Sequence, residues 1–277
     1  MKFLKRVLNF YITSSIHVAV AVCSLVWITL IEFKIPFDRT MVLFVFYASI
    51  TGYNFVKYFS IAKFYHRRLA VGLKWIQVLS FVCFCLMCYY LWQLHFNTLL
   101  WIAVLGCLTF FYAMPYLPKK ISTNGHKNLR SIVGVKVYII ALSWVGVTVF
   151  LPIINNDYIW SADVFLVAIQ RFLFVLVLML PFEIRDLQFD SLKLGTIPQE
   201  IGVKKTKLLG GMLLAAMFFL ECFKGQPLIF QTLSLLTTIV VTFLLLLFSK
   251  KEQGAYYSAF WVEAVPVLWL ILLLLFT

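Results

Sequence analysis

The chain has 277 residues, of which 63% are hydrophobic and 13% charged, and its net charge is +13. A soluble domain carries about 25% charged residues; a soluble chain this apolar could not cover its own surface with polar groups, so its solvent must be lipid. The positive charge is not interleaved with aromatic residues in a basic patch of the kind that grips RNA, which sets nucleic acid aside as a partner.

A membrane-crossing helix needs about 20 apolar residues. In chain order, nine runs reach or approach that length: Phe10–Ile31, Thr40–Phe59, Gly72–Trp92, Phe96–Tyr116, Ile132–Leu151, Val164–Phe182, Lys207–Phe223, Pro227–Phe248 and Tyr256–Phe276. The first follows Lys2, Lys5 and Arg6, as a signal peptide would. It is too long for a signal's apolar region and no small-residue cleavage site closes it, so it is read as a span. The expected architecture is an all-α polytopic bundle of nine transmembrane helices, forming one integral-membrane domain over residues 1–277. There is no soluble domain, low-complexity tract or strong internal repeat.

Lys and Arg in the short loops give the orientation. Of the 24 basic residues, 19 fall on the side of the N-terminus and only Lys34, Arg39 and Lys224 on the other; Lys136 and Arg171 lie within spans. This split predicts a cytoplasmic N-terminus, a C-terminus on the opposite side, and an odd number of spans.

The six cysteines lie in or beside apolar runs. Cys83, Cys85 and Cys88 are clustered, but zinc sites pair such a cluster with a second Cys/His pair. None is present, and the cysteines read as small core hydrophobes.

Candidate chemistry concentrates after the sixth span, at Pro181-Phe182-Glu183-Ile184-Arg185-Asp186-Leu187-Gln188-Phe189-Asp190. If the span continues as a helix, Glu183, Asp186 and Asp190 stand at i, i+3 and i+7, on one face. Like charges on one face repel, and a hard divalent cation such as Mg²⁺ would relieve the repulsion and could bridge to a diphosphate. The alternative is a solvated acidic helix end paired with Arg185 and Lys193. On spacing alone the two readings weigh equally.

The pattern Glu183-x-x-Asp186-x-x-x-Asp190, followed by Gly195-Thr196-Ile197-Pro198 and Ile201-Gly202-Val203-Lys204-Lys205, resembles the second aspartate-rich motif of the UbiA-type membrane prenyltransferases. Tyr116, Pro118, Leu129, Arg130, Lys136 and Trp144 resemble that family's fourth loop and fifth span. Tyr256, Tyr257, Trp261 and Glu263 resemble its last span, where Asp is more usual than Glu. The resemblance implies nine helices around a cavity open sideways to lipid. It also implies a transferase that moves an isoprenyl group from a prenyl diphosphate to a lipophilic, aromatic acceptor. Mg²⁺ would sit on Glu183, Asp186 and Asp190, with Asp186, Asp190 and Lys136 as catalytic residues. Asn54, Lys57, Arg130 and Lys193 would hold the diphosphate, and membrane lipid would surround the whole.

One departure opposes this. The family's first motif, N-D-x-x-D-x-x-x-D, aligns with Asn54-Phe55-Val56-Lys57-Tyr58-Phe59-Ser60-Ile61-Ala62, so its three Asp positions hold Phe55, Tyr58 and Ala62. No carboxylate occurs between Asp38 and Asp157. Lys57, Lys63, Arg67 and Arg68 stand nearby; fixed cations can neutralise a diphosphate, and they can equally be positive-inside anchors. The alternative function is a non-catalytic relative that binds a polyprenyl or quinone-like lipid. A small transporter is a third reading, without broken spans at matching positions in two halves to support it. Charges within spans are costly: Arg171 needs a partner, Glu263 is a candidate partner for Arg171 or Lys136, and His17 reads as a pocket residue or an interhelical contact.

Overall fold

The computed structural model describes residues 2–62, 71–113, 134–188, 195–225 and 228–276. These are helical, with no strands. The helices are α1 (Lys2–Thr13), α2 (Ile16–Glu32), α3 (Arg39–Ala62), α4 (Val71–Leu91), α5 (Phe96–Ala113), α6 (Lys136–Val145), α7 (Leu151–Asn155), α8 (Ala162–Asp186), α9 (Ile197–Glu221), α10 (Ile229–Phe248) and α11 (Val265–Phe276). π-helical turns at Gly146–Phe150 and Tyr257–Val262 join α6 to α7 and lead into α11.

Each of the nine predicted segments contains helix among its described residues. By length and apolarity, five helical stretches among the described residues can cross a bilayer, and a sixth if α1 and α2 are taken together. The protein is therefore an integral, multi-pass membrane protein.

The first predicted span is corrected: it breaks at Ser14–Ser15, and α1 and α2 meet at 57°. Ser15 adopts the left-handed region (φ 64°), a conformation costing about 1–2 kcal/mol for a residue with a Cβ. Buried hydrogen bonds hold it there. The Ser15 hydroxyl donates to Asn54 Oδ1 (2.8 Å), and Asn54 Nδ2 donates to the Ser14 carbonyl (3.1 Å) and to Ser80 Oγ (2.8 Å). Helices α2, α3 and α4 are thus pinned at the break.

The seventh segment also differs from its predicted bounds. Helix starts at Ile197, ten residues early, because Gln199 Oε1 accepts the Thr196 N–H (3.1 Å) and Pro198 suits the first turn. Gly202 (φ 78°) kinks it and Gly195 (φ 52°) precedes it. Both glycines of the Gly-Thr-Ile-Pro and Ile-Gly-Val stretches thus sit where L side chains are disfavoured.

Helix α8 packs against α6, α9 and α10, and its side chains Arg171 and Phe174 reach α2 and α11. Phe174 on α8 is fully buried and meets Trp269 of α11 edge-on, with ring centroids 5.3 Å apart. Helices α4 and α10 turn mostly apolar surface outward (Trp75, Val78, Phe81, Leu233, Leu247), as lipid-facing helices do. Asp38 ties the end of the bundle remote from the acidic turn: Oδ1 accepts the Met41 N–H, capping α3, and Oδ2 accepts Asn155 and Asn156.

Candidate functional site

Helix α8 runs past the predicted end of its span, through Pro181 to Asp186, so Glu183 and Asp186 share the last helical turn. Glu183 is buried and Asp186 partly exposed. Arg185 clasps Asp186 through Nε and Nη2, both at 2.8 Å. The turn is braced from the connection between α10 and the second π-turn: Gln253 Nε2 donates to the Pro181 carbonyl (2.9 Å) and to Ser258 Oγ (2.7 Å). Asp190 and Lys193 lie outside the described residues, as does Arg130.

Lys57 projects from the last part of α3 and donates through Nζ to the Thr13 carbonyl at 3.2 Å, beside the Tyr58 hydroxyl, which donates to the same oxygen at 2.9 Å. Both groups thereby cap the C-terminal end of α1, where carbonyls lack helical partners. Lys136 is the first residue of α6 and half-buried. Asn54 is buried, and its amide bonds Ser14, Ser15 and Ser80 as described.

The structure brings together three groups that the sequence reading kept apart. Glu263, just after the second π-turn, has Lys57 of α3 and Arg185 of α8 as its electrostatic neighbours, and Tyr11 of α1 senses the same carboxylate. Positive charges from two helices thus act through space on one carboxylate. The predicted pairing of Glu263 with Arg171 is corrected: Arg171 is fully buried next to Glu32 (3.9 Å). Sequence spacing offered no signal for the Lys57–Glu263–Arg185 grouping, because its members come from α3, α8 and the approach to α11.

His17 is an interhelical contact. Its Nε2 faces the Phe260 carbonyl at 2.9 Å; a carbonyl only accepts, so Nε2 carries the proton and Nδ1 accepts from the Tyr11 hydroxyl (3.1 Å). The imidazole stacks on the Phe260 ring, 4.9 Å between centroids and 11° from parallel.

Carboxylate oxygens are the donors a hard cation prefers, so Glu183 and Asp186 fit Mg²⁺ in kind. Asp186 would have to exchange part of its Arg185 clasp for the metal.

Comparison of sequences finds no match, neither to a family model nor to a curated protein. Comparison of structures does. A UbiA homolog from Aeropyrum pernix K1, in its apo form, superposes with a TM-score of 0.63 over 93% of this chain and 97% of its own, at 16% identity. The chain has the UbiA fold. A digeranylgeranylglyceryl phosphate synthase agrees, with a TM-score of 0.54 at 16% identity over 100% of this chain and 98% of its own. At this identity the likeness establishes the UbiA fold, and the side chains decide the chemistry.

Proposed function

We propose that this UbiA-fold protein is a membrane prenyltransferase that moves an isoprenyl group from a prenyl diphosphate to a lipophilic, aromatic acceptor. The observation that carries the reading is the acidic last turn of α8, Glu183 and Asp186 with Arg185 on Asp186, on the UbiA fold. The two solved neighbours support it: one is a UbiA homolog and the other a digeranylgeranylglyceryl phosphate synthase.

In this reading Glu183, Asp186 and Asp190 hold Mg²⁺, which supplies Lewis-acid stabilisation of the diphosphate leaving group. Lys57 and Arg185 add fixed positive charge where the first aspartate-rich motif is missing, with Arg130 and Lys193 as further diphosphate ligands and Lys136 at the mouth of α6. Fixed cations aimed at a leaving group stabilise the charge that develops there. The helix bundle keeps water from the allylic cation. The excess of Lys and Arg in the loops of one side supports a cytoplasmic N-terminus and a C-terminus opposite.

The second reading, a non-catalytic relative that binds a polyprenyl or quinone-like lipid, is favoured by one observation. Asn54, the surviving residue of the first motif, has its amide bonded to Ser14, Ser15 and Ser80. Binding of geranylgeranyl diphosphate to the purified protein, with and without Mg²⁺, separates the two. Mg²⁺-dependent binding that Asp186→Asn abolishes supports the transferase; no binding under either condition rejects it in favour of the lipid-binding relative.

A further inference from the structure

Helix α1 has a surface that the proposed reaction does not use. In the helical register, Lys2, Lys5, Arg6, Asn9 and Thr13 fall within an arc of about 100°, and every other residue of the helix is apolar. Lys5 and Arg6 are exposed. So are Phe3 (79%), Leu4 (73%), Val7 and Phe10. The bend at Ser14–Ser15 turns this helix away from α2. An amphipathic helix with a basic polar face and exposed Phe and Leu lies in a membrane interface.

Beneath Phe10 an open groove of about 460 Å³ runs along α4, lined by Phe10, Trp75, Val78, Leu79 and Val82. Every lining side chain is apolar, which suits an acyl chain. Basic residues flank it: Arg6 is one helical turn from Phe10, and exposed Lys74 precedes Trp75. Trp75, Val78 and Val82 point out of the bundle.

We propose that this groove is a binding site for one anionic phospholipid of the surrounding bilayer, with an acyl chain along α4 and the phosphate between Arg6 and Lys74. Charge complementarity selects the headgroup, since an anionic leaflet attracts Lys and Arg near its surface. The outward aspect of the groove selects bilayer lipid over the prenyl diphosphate, whose proposed site is at the end of α8. The same helix is hydrogen-bonded to the site region, through Tyr256 to Asn9 (2.5 Å) and through Lys57 and Tyr58 to Thr13. Lipid on α1 therefore steadies residues beside the acidic turn.

The test is native mass spectrometry of the purified protein with phosphatidylglycerol and with phosphatidylcholine. The wild type is expected to retain one phosphatidylglycerol at least tenfold better than phosphatidylcholine. Reversing the charge (R6E/K74E) or filling the groove (V78W/V82W) should each remove that preference while size-exclusion and circular dichroism stay unchanged. Equal retention of the two lipids by the wild type overturns the proposal without recourse to any variant. Unchanged selectivity in either folded variant also overturns it. So does displacement of the lipid by stoichiometric geranylgeranyl diphosphate, which would make the groove a substrate site. The proposal is independent of catalysis, because a non-catalytic UbiA-fold protein would show the same lipid preference.

Discussion

Arg171 lies fully buried 3.9 Å from Glu32, with its guanidinium 5.0 Å above the ring of Trp269. The pair belongs to a longer alternation: Lys224 stands 3.7 Å from the other Glu32 oxygen and 2.8 Å from Glu221, which also accepts from Gln170 (2.9 Å). Two cations and two carboxylates thus close α2, α8 and α9 with no net charge. Deleting one member strands its partner in a medium that solvates charge poorly, at a cost of about 3–5 kcal/mol. Arg171→Met should lower stability by that order. Adding Glu32→Gln to it should recover part of the loss, with a coupling of about 1–3 kcal/mol. The check is a double-mutant cycle on denaturant unfolding in micelles; strictly additive effects would show that the two side chains do not interact.

Asn54 is expected to matter for folding first. Its three hydrogen bonds hold the left-handed Ser15 and fasten α2 to α3 and α4. Asn54→Ala leaves the Ser14 carbonyl without that bond and should destabilise by about 2–4 kcal/mol, since each buried polar group left unpaired costs about 1–3 kcal/mol. Asn54→Asp keeps the acceptor for Ser15 and replaces the donors with an oxygen against the Ser14 carbonyl, so it should be no better. Thermal unfolding measured with and without a prenyl diphosphate checks this. A variant with wild-type stability but weakened ligand binding would assign Asn54 to the diphosphate instead.

Which features were legible in the sequence follows from what each depends on. Apolar length is local, and every predicted segment contains helix. The break at Ser14–Ser15 was hidden because its stabilising residue, Asn54, is on another helix, and serines are common inside spans. The amphipathic pattern before Ser14 was the available signal: basic residues at positions 2, 5 and 6 do not suit a segment continuing straight into the bilayer. The ion pairs were illegible for the same reason of distance along the chain. Glu32 sits at the end of α2, and composition cannot tell that α8 brings Arg171 to it rather than to Glu263. Glu183 and Asp186 were placed on one helical turn by spacing alone, whereas the grouping of Lys57, Arg185 and Glu263 needed the packing of three elements.

Gly210 marks the closest approach of α9 to its neighbours. A Cβ there would overlap Leu246 Cδ2 and meet Leu180 Cδ1 at 3.0 Å. Small residues let membrane helices pack closely. Both obstructing atoms are ends of leucine side chains, so Gly210→Ala should be accommodated by rotamer shifts at about 1–2 kcal/mol, while Gly210→Leu should cost more than that and separate α9 from α8 and α10. Unfolding midpoints of the two variants provide the measurement, and equal stability of Gly210→Leu and the wild type would contradict the packing.

Lys57 allows the transferase reading to be tested apart from stability. The Thr13 carbonyl accepts from both Lys57 Nζ and the Tyr58 hydroxyl, so removing Lys57 leaves that oxygen bonded. Lys57→Ala should therefore change stability by less than about 1 kcal/mol, as for an exposed polar contact. If Lys57 replaces the missing first metal site, the same variant should bind geranylgeranyl diphosphate at least tenfold more weakly, which corresponds to about 1.4 kcal/mol. Its residual binding should still require Mg²⁺, because Glu183 and Asp186 are untouched. Lys57→Arg should retain most of the affinity, since it keeps the charge. Titration of the ligand against the three proteins decides the matter: unchanged affinity in Lys57→Ala would leave Lys57 as an α1 cap and a positive-inside anchor, and the compensation for the lost aspartates would have to come from elsewhere.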